Sequence, residues 1–261
     1  ILVPSSADLS MTRSAVGFWL AQQMGMEYAG EWSYVDLYLN GEYYGLYIIC
    51  EKVEIGDTRI NITNLEKAVE DAIGKDNMLN DATGVYYSDG HSTAILANGD
   101  TIDLTGGYHL EFDNATDVLQ FTTTEGCVVT VNKPENLGSS IDDEAYTYIK
   151  EFVQEVEDVV YKSGATKEEL SEYIDLESFA QMWLLKEYIS DYDATNNMHF
   201  WKESNVTGDG KIHAGLAWDF DNSMDRDKVN LSGLTANNQK ITTSSTGSAK
   251  WLGQLLNHTA F

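Results

Sequence analysis

The chain of 261 residues carries 42 acidic against 16 basic side chains, a net charge of −26, with 43% hydrophobic and 11% aromatic residues. Such a composition is globular, and it provides one large domain or two small ones. The charge repels nucleic acid and anionic lipid, so neither is expected as a partner; it suits cations, a cationic protein, or an acid-biased extracellular surface.

The chain opens at Ile1-Leu2-Val3-Pro4 without a methionine and stops at Phe261, so both ends read as cuts in something longer. From there Ser6-Ala7-Asp8 caps a predicted helix from Leu9 to Gly25, with Leu9, Val16, Leu20 and Met24 on one side. Trp32 to Leu39 alternates, Asn40-Gly41 turns it, and Tyr43 to Val53 returns, the pattern of a β-hairpin. Between Asn61 and Asn80 the residues Leu65, Ala68, Val69, Ala72 and Ile73 keep helical spacing. Short strands follow at Gly84–Ser88, Gly107–Asp113 and Val128–Asn132, with a Gly/Asn/Thr-rich loop expected over Asp89–Gly106. Pro134 closes this β-rich part.

Asp142–Tyr161 then reads as an acidic amphipathic helix with Tyr148, Phe152, Val156 and Val159 inward. Thr166 caps a short helix that starts Lys167-Glu168-Glu169. Leu176–Ile189 is an apolar helix that delivers the chain into Asp191 and Asp193. After Asp221 a Ser/Thr/Asn-rich loop runs to Lys250, and Trp251–Leu256 begins a last helix. Cys50 and Cys127 lie in apolar strand patterns and read as two buried thiols, neither a disulfide framework nor a zinc set. No apolar stretch is long enough to span a membrane and no signal-peptide pattern occurs, so membrane insertion is not expected.

The chemistry concentrates late in the chain. His199-Phe200-Trp201-Lys202 and Lys211-Ile212-His213-Ala214 read as hairpin arms around a Thr207–Gly210 turn. Such a hairpin brings Asp191-Tyr192-Asp193-Ala194-Thr195-Asn196-Asn197 beside Trp218-Asp219-Phe220-Asp221. Oxygen ligands converging from two segments suit a hard cation, and a cation beside a spare carboxylate suits phosphoryl transfer. Asp193 is placed to act as a base and Asn197 to offer a neutral oxygen. If the strand continues, Asp219 and Asp221 face opposite ways and one of them meets Asp193. The plain alternative is turn chemistry, since Asp, Asn and Thr favour turns. A calcium loop starting at Asp191 fails where a glycine and a bidentate glutamate are needed, because those positions are Asn196 and Lys202. The five histidines have no ligand spacing; His199 and His213 lie on opposite hairpin arms and read as structural, whether or not they face each other. Glu51 and Lys52 end the first hairpin, as an ion pair or as a phosphate contact.

Leu39-Asn40-Gly41-Glu42-Tyr43-Tyr44-Gly45-Leu46-Tyr47 followed by Glu51-Lys52-Val53 resembles the signature hairpin of the CotH family, named for a spore-coat protein. Arg13 in the first helix, Gly107-Tyr108-His109-Leu110-Glu111, Ser178-Phe179 leading to Asp193, and Trp218-Asp219-Phe220-Asp221 follow in that family's order over nearly the whole chain. The resemblance implies an α+β, reduced and rearranged protein-kinase-like fold. It would be a single domain over residues 1–261, truncated at both ends, with a β-rich lobe at 1–134 and a mainly helical lobe carrying the acidic site at 135–261. It implies an atypical kinase that transfers the ATP γ-phosphoryl group to Ser or Thr of a protein substrate with Mg2+ or Mn2+. In that role Asp193 matches the catalytic aspartate; Asp219, Asn197 and Asp221 match metal ligands; Glu51 and Lys52 are candidates at the nucleotide.

Two departures stand out: Asp191 replaces the asparagine the family usually has there, and the family's lysine-bearing strand would precede residue 1. They motivate the alternative of a catalytically inactive secreted scaffold holding Ca2+ at the acidic cluster. A carbohydrate-binding role for Trp32, Tyr43, Tyr44 or Trp251 is a weaker option, since large aromatic side chains belong first to the core. An extracellular or cell-surface setting, in a carbohydrate-associated bacterial assembly more than in a spore coat, fits the acidic surface.

Overall fold

The computed structural model describes residues 1–4, 8–74, 79, 82–113, 119–135, 144–191, 197–224 and 248–261. Three short strands open the fold: β1 (Leu2–Pro4), β2 (Trp32–Leu39) and β3 (Glu42–Cys50), antiparallel in the order β1-β3-β2. Asn40 and Gly41 take φ of 52° and 85°, the left-handed pair that a two-residue turn between twisted strands demands. Between β1 and β2 lies α1 (Arg13–Gln23), which starts at Arg13 and not at Leu9. Leu9 is 96% exposed, and the Asp8 carboxylate accepts the backbone N–H groups of Ser10 and Arg13 at 2.9 and 2.8 Å. The cap is therefore a looped Asp8 that meets the helix where its free N–H groups begin.

Next comes α2 (Leu65–Ile73), capped by Asn64, whose side chain accepts the N–H of Lys67. The expected loop at 89–106 holds two strands. β4 (Tyr86–Tyr87), β5 (Thr93–Ile95) and β6 (Thr101–Asp103) form a small antiparallel sheet. Ala94 and Ile102 in β5 and β6, and Leu96 and Leu104 just beyond them, are buried, but these two strands are only three residues long, and the polar turn between them masked the alternation.

The centre of the fold is a five-stranded antiparallel sheet. It comprises β7 (Tyr108–Phe112), β8 (Gln120–Thr122), β9 (Val128–Lys133), β10 (Met198–Lys202) and β11 (Ile212–Ala214), in the order β11-β10-β7-β9-β8. Register pairs Met198 with Phe112, Phe200 with Leu110 and Lys202 with Tyr108. The two faces of β7 and β10 therefore differ in kind. Met198, Phe200, Tyr108, Leu110 and Phe112 share one, and it is apolar apart from Lys202. His199, Trp201, His109 and Glu111 share the other.

Helices cover the apolar face. α3 (Glu144–Tyr161) and the last helix pack there: Phe112 meets Trp251 at 5.1 Å between ring centroids, and the Tyr108 hydroxyl donates to the carbonyls of Leu104 and Ala145. α4 (Lys167–Ser171) begins with a full capping box between Thr166 and Glu169. α5 (Leu176–Tyr188) lies along β11, where the Ser178 hydroxyl accepts the N–H of Ala214 at 3.1 Å. α6 (Ser248–Leu255) is held by a buried polar contact, the Trp251 indole N–H donating to Glu157 at 2.9 Å. Strands from before and after Pro134 thus share one sheet, so the β-rich and helical parts differ in content but are not divided by a seam there. Cys50 and Cys127 are both buried free thiols, as expected. Most of the expected Ser/Thr/Asn-rich loop, residues 225–247, lies outside the described residues.

Candidate functional site

The hairpin β10–β11 forms where the sequence suggests: the strands stop at Lys202 and start again at Ile212, one residue after the expected second arm. His213 pairs with Trp201 across the ladder, and His199 does not face it. His199 instead meets His109, Nδ1 to Nε2 at 3.1 Å, on the polar face of the sheet. Burial, and the Lys133 ammonium, push the His109 pKa down to about 3, and burial likewise holds His199 well below the usual histidine range. Both rings are thus neutral at pH 7, and one N–H serves the pair.

Beyond β11 the chain leaves the strand. Asp219 sits at φ 53°, in the left-handed region, and Phe220 is fully buried. The expectation that Asp219 and Asp221 face opposite ways rested on a continuing strand, and that condition is not met. Both residues line one cleft of about 240 Å³, together with Asp8, Ser14, Phe18 and Trp218. Asp219 is exposed and Asp221 half-buried. Phe220 fixes the turn: its ring lies edge-on to Phe18 at 5.7 Å, over a spot that only a glycine leaves clear. A Cβ on Gly17 would lie 2.2 Å from the Phe220 ring, which no real contact allows. On the far side of the turn, Ser223 donates its hydroxyl back to the Phe220 carbonyl at 2.7 Å, and Arg13 Nε donates to the Ser223 carbonyl at 2.9 Å.

Arg13 also forms an ion pair with Asp8. Burial raises the Asp8 pKa, but the Ser10 hydroxyl, the N–H groups of Arg13 and Ser10, and the Arg13 guanidinium outweigh it and hold the carboxyl below its usual range. Asp8 is therefore an anion at neutral pH, facing the same cleft as Asp219 and Asp221. Among the described residues that line the cleft there is no lysine or arginine.

One residue that sequence reasoning missed organises the approach from the other segment. Lys186, on α5, is 2% exposed, and its ammonium donates to Asp191 at 2.9 Å and to the Asn197 carbonyl at 2.8 Å. It also lies 5.7 Å from the centre of the Phe220 ring. Lys186 thus bridges Asp191, Asn197 and the Asp219–Asp221 turn. A lysine following Trp183-Leu184-Leu185 inside an apolar helix was the available signal. Asp191, 2% exposed and paired with Lys186, is turned into the fold and does not line the cleft.

Asn197 has a buried side-chain oxygen with no hydrogen-bond partner among the described residues. An orphaned amide oxygen costs about 1–3 kcal/mol unless something accepts its lone pairs, which a cation does. Asp193 lies outside the described residues, in the stretch between Asp191 and Asn197. Glu111 is a second residue the site reading missed. Burial lifts its pKa, as do the nearby carboxylates of Asp113 and Asp219, against the hydrogen bond from Asn132 and the charge of Lys186. It was visible as the one acid in the otherwise uncharged strand β7.

Glu51 and Lys52 stand apart from Asp219. They line a smaller cavity of about 50 Å³ that shares Phe18 and Trp218 with the acidic cleft. Glu51 accepts the N–H of Glu31 at 2.9 Å, and Lys52 pairs with Glu54 at 3.2 Å. The two cavities flank Trp218.

Asp219 and Asp221 offer the cleft oxygen only, which fits Mg2+ or Mn2+ better than a soft metal, whereas Asn197 is not among the residues that line the cleft. These features define an α+β domain with an anionic, oxygen-lined cleft beside an aromatic-walled cavity. The whole chain, residues 1–261, matches the family described as CotH kinase protein, and it belongs to that family. No curated protein matches it.

Proposed function

We propose that the protein is an atypical, metal-dependent protein kinase of CotH type with a reduced kinase-like fold, passing the γ-phosphoryl group of ATP to a Ser or Thr hydroxyl. The observation that carries this reading is the turn that places Asp219 and Asp221 on one cleft while Phe220 anchors it from behind. Three acids without a lining cation would repel a triphosphate. A divalent ion held by Asp219, Asp221 and Asn197 would offset the charge of the two aspartates and would neutralise charge on the phosphates when bound.

The chain's own residues divide the remaining work. Trp218 and Phe18 wall the cavity next to the acids and suit the flat base of the nucleotide. Glu51 and Lys52 line that cavity and suit its polar edge. Asp193 is assigned the proton of the attacking hydroxyl, for which a carboxylate beside a cation is a competent acceptor. Lys186 holds the segment on either side of Asp193 by gripping Asp191 and Asn197. Arg13 and Ser223 hold the opposite wall. The acidic surface suits an extracellular or cell-surface setting and a protein substrate with basic character around its hydroxyl.

A second reading, an inactive secreted scaffold, is favoured by the lack of a lysine or arginine among the described cleft residues. Its calcium version is weakened by Asp191, the first position of the candidate calcium loop, which is engaged inside the core. The two readings separate in one set of measurements. With Mg2+ or Mn2+, ATP should raise the melting temperature of the wild-type chain, and Asp219→Asn should abolish that rise. Asp193→Ala should keep the rise but lose phosphoryl transfer to protein by a factor of about 10² or more. No response to ATP with either metal would sink the kinase reading in favour of the scaffold.

A further inference from the structure

A second group of ligand-type side chains lies in the turn of the β10–β11 hairpin, away from Asp219 and its cleft. Glu203, Asp209 and His213 bring one ligand atom each within 4.8 Å of one another. His213 Nε2 is 3.1 Å from Asp209 Oδ1 and 3.9 Å from Glu203 Oε1. With metal–ligand bonds of about 2.0–2.2 Å, two ligands of one ion stand about 3.0–3.6 Å apart, so the His213–Asp209 separation already fits and the Glu203 side chain has to close in.

We propose that Glu203, Asp209 and His213 form a binding site for a first-row transition dication of the Zn2+ kind, independent of the metal assigned to the nucleotide cleft. The donor set itself makes the choice: one imidazole nitrogen with two carboxylates favours such ions over Mg2+ or Ca2+, which take oxygen alone. Three protein ligands leave coordination positions open to water.

The fold prepares each ligand separately. His213 is 9% exposed, and its ring stacks on the fully buried Trp201 at 5.3 Å and 9°, which fixes the direction of Nε2. Glu203 is held by the N–H of Asp209, which donates to Oε2 at 3.1 Å and leaves Oε1 directed at His213. Gly208 allows this closeness, since a Cβ there would lie 2.2 Å from Glu203 Oε2. Asp209 is held by the N–H of Lys211 at 2.9 Å. Lys211 Nζ stands 3.9 Å from Asp209 Oδ2, with its side chain 29% exposed and able to swing away. The Asp209 side chain is 40% exposed, so an ion has a path in from solvent. On loading, the imidazole carries its proton on Nδ1 and offers the Nε2 lone pair.

The test is metal binding to the whole chain without nucleotide, counted by equilibrium dialysis against Zn2+ and followed by the visible absorption of Co2+. Wild type should bind one equivalent that excess Mg2+ does not displace. His213→Gln and Asp209→Asn should each lose that equivalent or weaken it by about tenfold or more. Asp219→Asn should keep it, so this site and the nucleotide cleft can fail separately. Unchanged binding in the folded His213→Gln and Asp209→Asn chains would overturn the proposal and leave only a His213–Asp209 hydrogen bond. If either variant fails to fold, a wild-type crystal soaked in Zn2+ decides. An anomalous peak among Glu203, Asp209 and His213 supports the site; a peak elsewhere, or none, overturns it.

Discussion

The two main hairpins of this fold have similar amphipathic sequences and opposite surroundings. β2–β3 turns on Asn40-Gly41 and leaves Tyr38, Leu39, Tyr43 and Tyr44 each more than half exposed. β10–β11 is buried along every residue of both strands. In the first, alternation and a tight turn are sufficient to specify structure, and its polar groups reach water. In the second, polar side chains are cut off from water and depend on partners inside the protein, although Trp201 Nε1 and His199 Nε2 have no hydrogen-bond partner among the described residues. Lys202 shows what that requires: fully buried, it donates to the carbonyls of Thr105 and Glu203 and to the Asn205 side chain, and lies 4.3 Å over the Phe152 ring. The Glu203–Asp209–His213 group belongs to this buried hairpin, at the turn between its two strands.

Truncations test the contrast most strongly. Phe200→Ala, in the buried hairpin, should cost about 3–5 kcal/mol of unfolding free energy by urea denaturation. Tyr43→Ala, in the exposed one, removes a ring contact with Tyr38 and should cost below about 1 kcal/mol. Equal losses would mean that burial does not separate the hairpins.

The next effect is in pH. Burial pushes the Lys202 pKa down to about 8, against the pull of Asp103, Asp209 and Glu203. An unfolded lysine keeps its proton to about 10.4, so between these values the unfolded chain binds more protons and stability rises with pH. On the acid side His109 titrates near 3 when folded and about 6.5 when unfolded, so stability falls as pH drops through that window. Lys202→Met should flatten the alkaline limb and His109→Gln the acid one, each compared with wild type because the 42 acids titrate in both. In the β2–β3 hairpin the alkaline effect runs the other way: burial raises the pKa of the Cys50 thiol and of the Tyr34 hydroxyl, so their contribution to stability falls as pH rises. The effect at its turn is small as well: Gly41→Ala, at φ 85°, should cost about 1 kcal/mol.

Legibility in the sequence followed the same contrast. β2–β3, α2, α5 and the Thr166 capping box were all readable, because each is specified by local periodicity or a turn residue. β5 and β6 were not, being three-residue strands whose apolar residues gain meaning only against α2 and the core. The acidic turn was found, but its geometry was misread: alternation cannot foresee that Asp219 adopts a left-handed φ. The partnership of Lys186 with Asp191 and Asn197 is tertiary, and only a lysine in an apolar helix hinted at it. His109 and His199 were assigned no ligand role, yet their contact depends on a pairing of strands far apart in the chain.

That pairing has a consequence for synthesis. His109 and His199 are 90 positions apart, and β7 has no β10 to pair with until the later strand leaves the ribosome. At about 5–20 residues per second, the nascent chain spends roughly 5–20 s with the β7 edge waiting for β10. The order of translation therefore makes the central sheet close late, and in that interval its open edge is available to a chaperone.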